Sequence, residues 1–292
     1  MQSLKEYLKS NYKASSVKTY LREIELYLQS NPQAQTATYK DITNYLNEQR
    51  KTQKASSIQR ILQSIKKYYN YLVEAEIRED NPTQYLKIKD HKKKHKSIHN
   101  QLLSMEELQE LWEHFRTRKL RQEGNRIRNL VLLSLLFFQA LRAGEIKALN
   151  LENIDLDKGE IDIPSLGKNR ARTLPLDKKQ LLLFYEYIHI YRKNYPLINP
   201  KEKALFISRK GKREQGETLH TLIKSERHYF NPIALNPNLI RQSVIAQKFA
   251  EGLGLQAVQY SAGHRYPSST ERYKSDDLQA LKIGILKHHP LQ

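Results

Sequence analysis

The sequence predicts a mainly α protein of two domains, the second holding a small antiparallel β-sheet. Three observations carry this expectation. Apolar residues recur at helical spacing through residues 1–87, and glycine is absent from the first 100 positions. Residues 88–101, IKDHKKKHKSIHNQ, form a basic run with little apolar content that reads as a linker. Residues 102–292 then mix helical patterns with three short runs of β character.

In the first domain, Ser16–Leu28 sets Val17, Tyr20, Leu21, Ile24 and Leu28 on one helical face. Ile42–Gln49 is a shorter helix with Asp41 as its expected N-cap. Ser56–Glu74 carries the stripe Ile58, Ile61, Leu62, Ile65, Tyr69 and Leu72, and Asn81-Pro82 breaks the pattern. The second domain opens with Ser104 and Glu107 spaced as a capping box, with Leu108, Leu111 and Trp112 on the apolar face. Helices are expected at Arg126–Leu141 and Ala143–Leu149, and strands at Ile154–Leu156, Glu160–Ile163 and Arg172–Leu176. Helices resume at Lys178–Arg192, Thr218–Tyr229, Asn238–Glu251, Leu255–Ser261 and Asp276–Leu286.

Composition narrows the function. The chain has 50 Lys and Arg against 31 Asp and Glu, a formal charge of +19. Such an excess favours a polyanionic partner, nucleic acid before an anionic membrane surface. Cysteine is absent, which excludes disulfides and thiolate metal sites and fits a reducing cytoplasm. The histidines of the linker supply no folded ligand set, so no metal is expected. The residues after Met1 lack the apolar core of a signal peptide. The most apolar run, Leu130–Leu141, is too short to span a bilayer, so a soluble cytoplasmic chain is expected.

The last third is the most informative stretch. Arg241 lies on an expected helix, His264 follows Gly263, and Tyr273 comes nine residues after that histidine. Upstream are Arg142 in ALRAGEIKAL and Lys168 in SLGKNRARTLPL. Two arginines, a lysine, a histidine and a tyrosine can hold and attack a phosphodiester without a metal ion. Taken singly, each has a plainer reading. Arg142 is spaced to pair with Glu145, His264 to cap a helix, and Tyr260 and Tyr266 are neighbouring rivals of Tyr273.

Read together, these motifs resemble those of the tyrosine recombinases of the phage integrase family. SSIQRILQSIKKYYNYL and NPTQYLKI are similar to the family's helical core-binding domain, and LSMEEL to the start of its catalytic domain. The resemblance implies that Arg142 in ALRAGEI is the first catalytic arginine, with Glu145 as its acidic neighbour. It puts Lys168 on the β-hairpin as the catalytic lysine, Arg241 in PNLIRQS as the second arginine, His264 in AGHR as the later histidine, and Tyr273 in STERY as the nucleophile. The pattern departs from the family's His-x-x-Arg-His box at both ends, where Asn238 and Gln242 stand. An amide can donate a hydrogen bond to phosphate but cannot carry a proton.

The chemistry follows. Arg142 and Arg241 offer paired donors to the non-bridging phosphate oxygens. Lys168 supplies the proton to the leaving 5′-oxygen, with Arg170 and Arg172 as fallbacks. His264 either holds a phosphate oxygen or manages the Tyr273 proton. The expected product is a 3′-phosphotyrosine with a free 5′-hydroxyl. Its bond energy is retained, so no cofactor is needed. Lys51, Lys54, Arg60, Lys66 and Lys67, Lys92, Lys93, Lys94 and Lys96 in the linker, and Arg170 and Arg172 on the hairpin are expected to neutralise DNA phosphates. The segment Asp276–Leu286 is amphipathic, with Leu278, Leu281, Ile285 and Leu286 apolar; the resemblance implies docking between copies in a tetramer on two duplex DNA sites, and the pattern fits equally a helix packed on its own domain. A type IB topoisomerase and a non-catalytic DNA-binding accessory protein are the alternatives.

Overall fold

The computed structural model describes residues 2–88, 102–120, 122–167, 169–208, 210–214, 217–226 and 235–274. The chain divides into two compact units, Met1–Lys94 and His95–Gln292.

Among the described residues, the first unit holds four helices: α1 (Leu4–Asn11), α2 (Ala14–Ser30), α3 (Tyr39–Thr52) and α4 (Ala55–Glu74). Ser3 caps α1 through a reciprocal box with Glu6, a signal present in the sequence that the periodicity of so short a segment hides. Asp41 is not the N-cap of α3. Thr38 takes that place and Asp41 sits at the third helical position, closing the box from inside. The α4 stripe is buried as expected, with Ile58, Ile61, Leu62, Ile65, Tyr69 and Leu72 at most 1 % exposed. Each such side chain contributes about 1.5–3 kcal/mol by leaving water. The two deepest tyrosines satisfy each other: Tyr27 Oη lies 2.7 Å from Tyr69 Oη, which donates to the Ala34 carbonyl at 2.8 Å.

The second unit packs helices around a central one. Its elements are α5 (Met105–Thr117), α6 (Glu123–Phe137), α7 (Ala143–Ala148), β1 (Ile154–Asp155), β2 (Glu160–Ile163), β3 (Arg172–Pro175), α8 (Lys178–Glu186), α9 (Glu217–Lys224), α10 (Pro237–Ala250), α11 (Leu255–Ala262) and α12 (Ser268–Glu271). Ser104 and Glu107 form the expected capping box. Every residue of α6 from Ile127 to Leu136 is buried, the polar Arg128, Asn129 and Ser134 included, so this stretch has no solvent face. It stops at Phe137 rather than Leu141, because Ala140 turns into the left-handed region at φ +52°. The strands form an antiparallel sheet in the order β1-β2-β3, with Ile161 opposite Leu174 and Ile163 opposite Arg172. The expected helix Lys178–Arg192 is α8 as far as Glu186, then a π turn at Tyr187–Tyr191 and a 3-10 turn at Arg192–Asn194. The short α12 just before Tyr273 was not expected. The Asp276–Leu286 segment lies outside the described residues.

Candidate active site

Four separated segments converge around one buried carboxylate. The turn after α6 delivers Arg142 as the N-cap of α7, and its amide donates to Glu145 Oε2 at 2.8 Å. Glu145 has no exposed side-chain surface. It also accepts from Arg172 Nη1 at 2.9 Å and from Asn169 Nδ2 at 3.1 Å. Arg142 Nη1 lies 3.6 Å from Glu145 Oε1, too far for a hydrogen bond. That nitrogen is buried without a hydrogen-bond partner, while the Arg142 side chain as a whole is one-third exposed.

Arg172 corrects an expectation. The basic hairpin pattern predicts a surface cation that neutralises DNA, yet the Arg172 side chain is fully buried. Strand alternation explains this: Arg172 shares the inward face of β3 with Leu174, while Thr173 points out. Besides Glu145, Arg172 donates from Nε to the Ser261 carbonyl at 2.9 Å, which ties the hairpin to the end of α11. Its Nη2 is buried and unpartnered. The chain turns over this guanidinium at Gly263, whose φ is +62°. A Cβ there would lie 2.3 Å from Arg172 Nη1.

Arg241 comes from the second turn of α10, whose start is set by Asn236 capping the Leu239 amide and by Pro237 in the first turn. Arg241 is 5 % exposed. It donates from Nη1 to the Ala140 carbonyl, and from Nη2 to the Ala262 carbonyl at 2.7 Å. The left-handed Ala140 therefore sits at the site, where the strained turn supplies an acceptor. His264 Nε2 lies 3.2 Å from Arg241 Nη2, and His264 Nδ1 lies 2.8 Å from Thr270 Oγ1. The His264 and Tyr273 rings stack at 6.2 Å with 25° between planes, and Tyr273 is 7 % exposed. The rival tyrosines stand elsewhere. Tyr260 is half-exposed with its hydroxyl on the Thr173 backbone, and Tyr266 is half-exposed beneath Arg265.

The site is cationic. Three guanidinium groups face one carboxylate. Burial acts to raise the Glu145 pKa, but the Arg172 hydrogen bond and charge, the Arg142 amide and the Arg241 charge outweigh it and hold the carboxyl below its ordinary value. Burial, then the charges of Arg142 and Arg172, push Arg241 down to about 9, so it stays charged at neutral pH. Burial likewise lowers Arg142. His264 is pushed down to about 4 by burial and then by Arg241, Arg142 and Arg172, so its ring is neutral at pH 7.

The remaining expected residues are dispersed. Asn238 is exposed in the first turn of α10, one turn before Arg241. Arg170 is exposed at the hairpin. Lys168, Lys92, Lys93, Lys94 and Lys96 lie outside the described residues. In the first unit, Lys51 and Lys54 are exposed, and Lys51 pairs with Glu48 at 2.7 Å. Arg60 is held at 3.1 Å by Glu23, a buried carboxylate that Arg22 also contacts. Lys66 reaches the Gln84 carbonyl at 3.4 Å, and Lys67 lies over the Tyr12 ring. Sequence reasoning missed Asn169 and Thr270, which hold Glu145 and His264. Among the described residues, no helix is long and apolar enough to cross a membrane.

Comparison with known proteins finds matches in both units. A model of the phage integrase family matches residues 101–279, and one of the phage integrase N-terminal SAM-like domain matches residues 1–76. The tyrosine recombinase XerC of Roseiflexus castenholzii is 28 % identical over 242 residues, 81 % of this chain and 73 % of that protein. The tyrosine recombinase XerD of Oceanobacillus iheyensis is 26 % identical over 286 residues, 94 % of this chain and 92 % of the other. Among solved structures, the XerH site-specific recombinase bound to a palindromic difH substrate, in its post-cleavage complex, superposes with a TM-score of 0.74 at 17 % identity. The match covers 97 % of this chain and 84 % of that one. The Tn1549 transposon integrase in complex with a circular intermediate DNA gives 0.71 at 15 % identity, over 98 % and 100 % of the two chains.

Proposed function

Since this chain belongs to the phage integrase family of tyrosine recombinases, enzymes that cleave and rejoin DNA, we propose that it exchanges strands between specific duplex sites through a 3′-phosphotyrosine intermediate. Integration, excision and resolution are the outcomes open to such exchange. One observation carries the reading: Arg142, Arg241, His264 and Tyr273, spread over 132 positions of sequence, meet around a buried Glu145–Arg172 pair.

In this reading the scissile phosphate enters beside the one-third-exposed Arg142, whose unpartnered Nη1 still lacks an acceptor. Arg142 and Arg241 hold the non-bridging oxygens. Preorganised donors of this kind supply on the order of 3–4 kcal/mol each to the transition state. Tyr273 gives up its phenolic proton to water as its oxygen bonds to phosphorus and the bond to the 5′-oxygen breaks, and Lys168 protonates that 5′-oxygen. A 5′-hydroxyl of another strand reverses the step without a cofactor. Asn238, exposed beside Arg241 on α10, donates one further hydrogen bond to the phosphate. Lys51, Lys54, Arg60, Lys66, Lys67 and Arg170, with the linker lysines, neutralise the DNA backbone. The working assembly is a tetramer on two sites, joined through the 276–286 segment, in the cytoplasm.

A nicked suicide substrate, built on a site found by footprinting, tests this directly. The wild-type chain should become covalently joined to the 3′ end through Tyr273. Tyr273→Phe should bind the same DNA and form no adduct. An adduct mapped to Tyr266 or Tyr260 would overturn the nucleophile, and binding without any adduct would favour the accessory-protein reading.

A further inference from the structure

We propose that Thr270 is a positioning residue for strand cleavage: its hydroxyl fixes the tautomer of His264, and through it the orientation of Arg241. The effect on cleavage rests on the recombinase reading above, whereas the tautomer itself does not.

The argument begins with donors and acceptors. A guanidinium group has only donors, so the 3.2 Å contact between Arg241 Nη2 and His264 Nε2 requires a bare lone pair on Nε2. Burial and three neighbouring guanidinium groups keep the imidazole neutral at pH 7. A neutral ring carries one proton, which must then sit on Nδ1. The atom facing Nδ1 is Thr270 Oγ1 at 2.8 Å, on a residue with no exposed surface. The hydroxyl therefore accepts from Nδ1–H.

Without that acceptor the balance reverses. Nδ1–H would be a buried donor with no partner, and the proton would favour Nε2. Nε2–H would then face the N–H of Arg241 donor to donor. Arg241 would lose one of the three acceptors that hold its guanidinium plane, the others being the Ala140 and Ala262 carbonyls.

The same residue touches the nucleophile. Thr270 lies one turn before Tyr273, whose amide donates to the Thr270 carbonyl at 3.0 Å. The Tyr273 ring in turn stacks on His264. A single threonine thus connects the segment that carries the nucleophile to the arginine assigned to the phosphate.

Thr270→Val keeps the shape and removes the acceptor. Thr270→Ser keeps the acceptor. The full-length protein, labelled with ¹⁵N at histidine, reports the tautomer by imidazole nitrogen shifts, with the His264 signals identified by their loss in His264→Gln. Wild type and Thr270→Ser should show protonated Nδ1 and bare Nε2, and Thr270→Val should move the proton towards Nε2. On the nicked substrate, Thr270→Val should cleave about tenfold more slowly than wild type at nearly unchanged DNA affinity, and Thr270→Ser should restore most of the rate. A packing role alone would change melting temperature but not the tautomer. Protonated Nε2 in the wild type, or a wild-type tautomer in Thr270→Val, overturns the proposal. The expected tautomers in a chain that forms no adduct would support the Thr270 assignment and count against the recombinase reading.

Discussion

Replacing Arg172 with methionine removes the buried cation that holds Glu145 and leaves a carboxylate with no exposed surface. Breaking a buried ion pair from one side costs about 3–5 kcal/mol. Here Glu145 keeps the Asn169 amide and the Arg142 amide, which favours the low end. The Ser261 carbonyl also loses its donor, worth about 1 kcal/mol. The sum, about 4 kcal/mol, is a large fraction of the ~5–15 kcal/mol that holds a typical domain together. Urea unfolding followed by tryptophan fluorescence reads the right unit, because the chain's one tryptophan, Trp112, is buried in the second. The loss should depend on pH. In the wild type the depressed Glu145 pKa contributes stability that is present above the unfolded value of 4.5 and is lost as pH falls through the folded value. In Arg172→Met the pull of Arg172 is gone and burial, which raises the pKa, acts against fewer partners. The gap between the two proteins should therefore widen from pH 4 to pH 7. Adding Glu145→Leu to Arg172→Met should recover part of the loss, since neither charge is then left alone. A single mutant that loses less than about 1 kcal/mol, or a double mutant less stable than the single, would refute the reasoning.

Three further perturbations follow from the same geometry. Gly263→Ala places a Cβ 2.3 Å from Arg172 Nη1 at a φ of +62°, so it should destabilise the second unit by about 2 kcal/mol or more and slow adduct formation, measured by urea unfolding and on the nicked substrate. His264 has its pKa depressed from 6.5 to about 4, so the unfolded chain takes up its proton first; this contribution is complete above pH 6.5 and lost as pH falls towards 4. At pH 5 the loss should reach about 2 kcal/mol, and His264→Gln should remove it from a stability series across that range. Asn238→Ala should slow cleavage by up to about tenfold, one neutral hydrogen bond's worth, whereas Asn238→His should add an ionisation near pH 6.5 to the pH–rate profile.

The parts of the fold set by local pattern were legible in advance. The α4 stripe, the Ser104–Glu107 box and the three strands all depend on residues within a few positions of one another. What was missed depends on distant partners or on competing local signals. Asp41 and Thr38 both suit an N-cap, and only the backbone geometry separates them. α6 ends early because Ala140 turns towards Arg241, which lies 101 residues away. The inward Arg172 could have been read from its alternation with Leu174, but an arginine on a basic hairpin suggests a surface role. Thr270 gave no signal, because its partner is known only once His264 folds back over six residues. The residues proposed as catalytic are drawn from motif order, which marks residue types but not the buried Glu145–Arg172 pair they surround.

The spacing of the Arg241 and Arg172 contacts also bears on when this site can exist. The bond from Arg241 to Ala140 spans 101 residues, and that from Arg172 to Ser261 spans 89. Loops of that size must close before either contact forms, and contacts of high sequence separation are slow to form. Tyr273 follows every other residue of the constellation in the sequence. During synthesis the arginines emerge before Tyr273, the residue proposed as the nucleophile, and neither contact can form until the residues on both sides of its loop are present. On the proposed assignment, a chain that stops short of Tyr273 keeps its basic charge and lacks the group that would attack the strand.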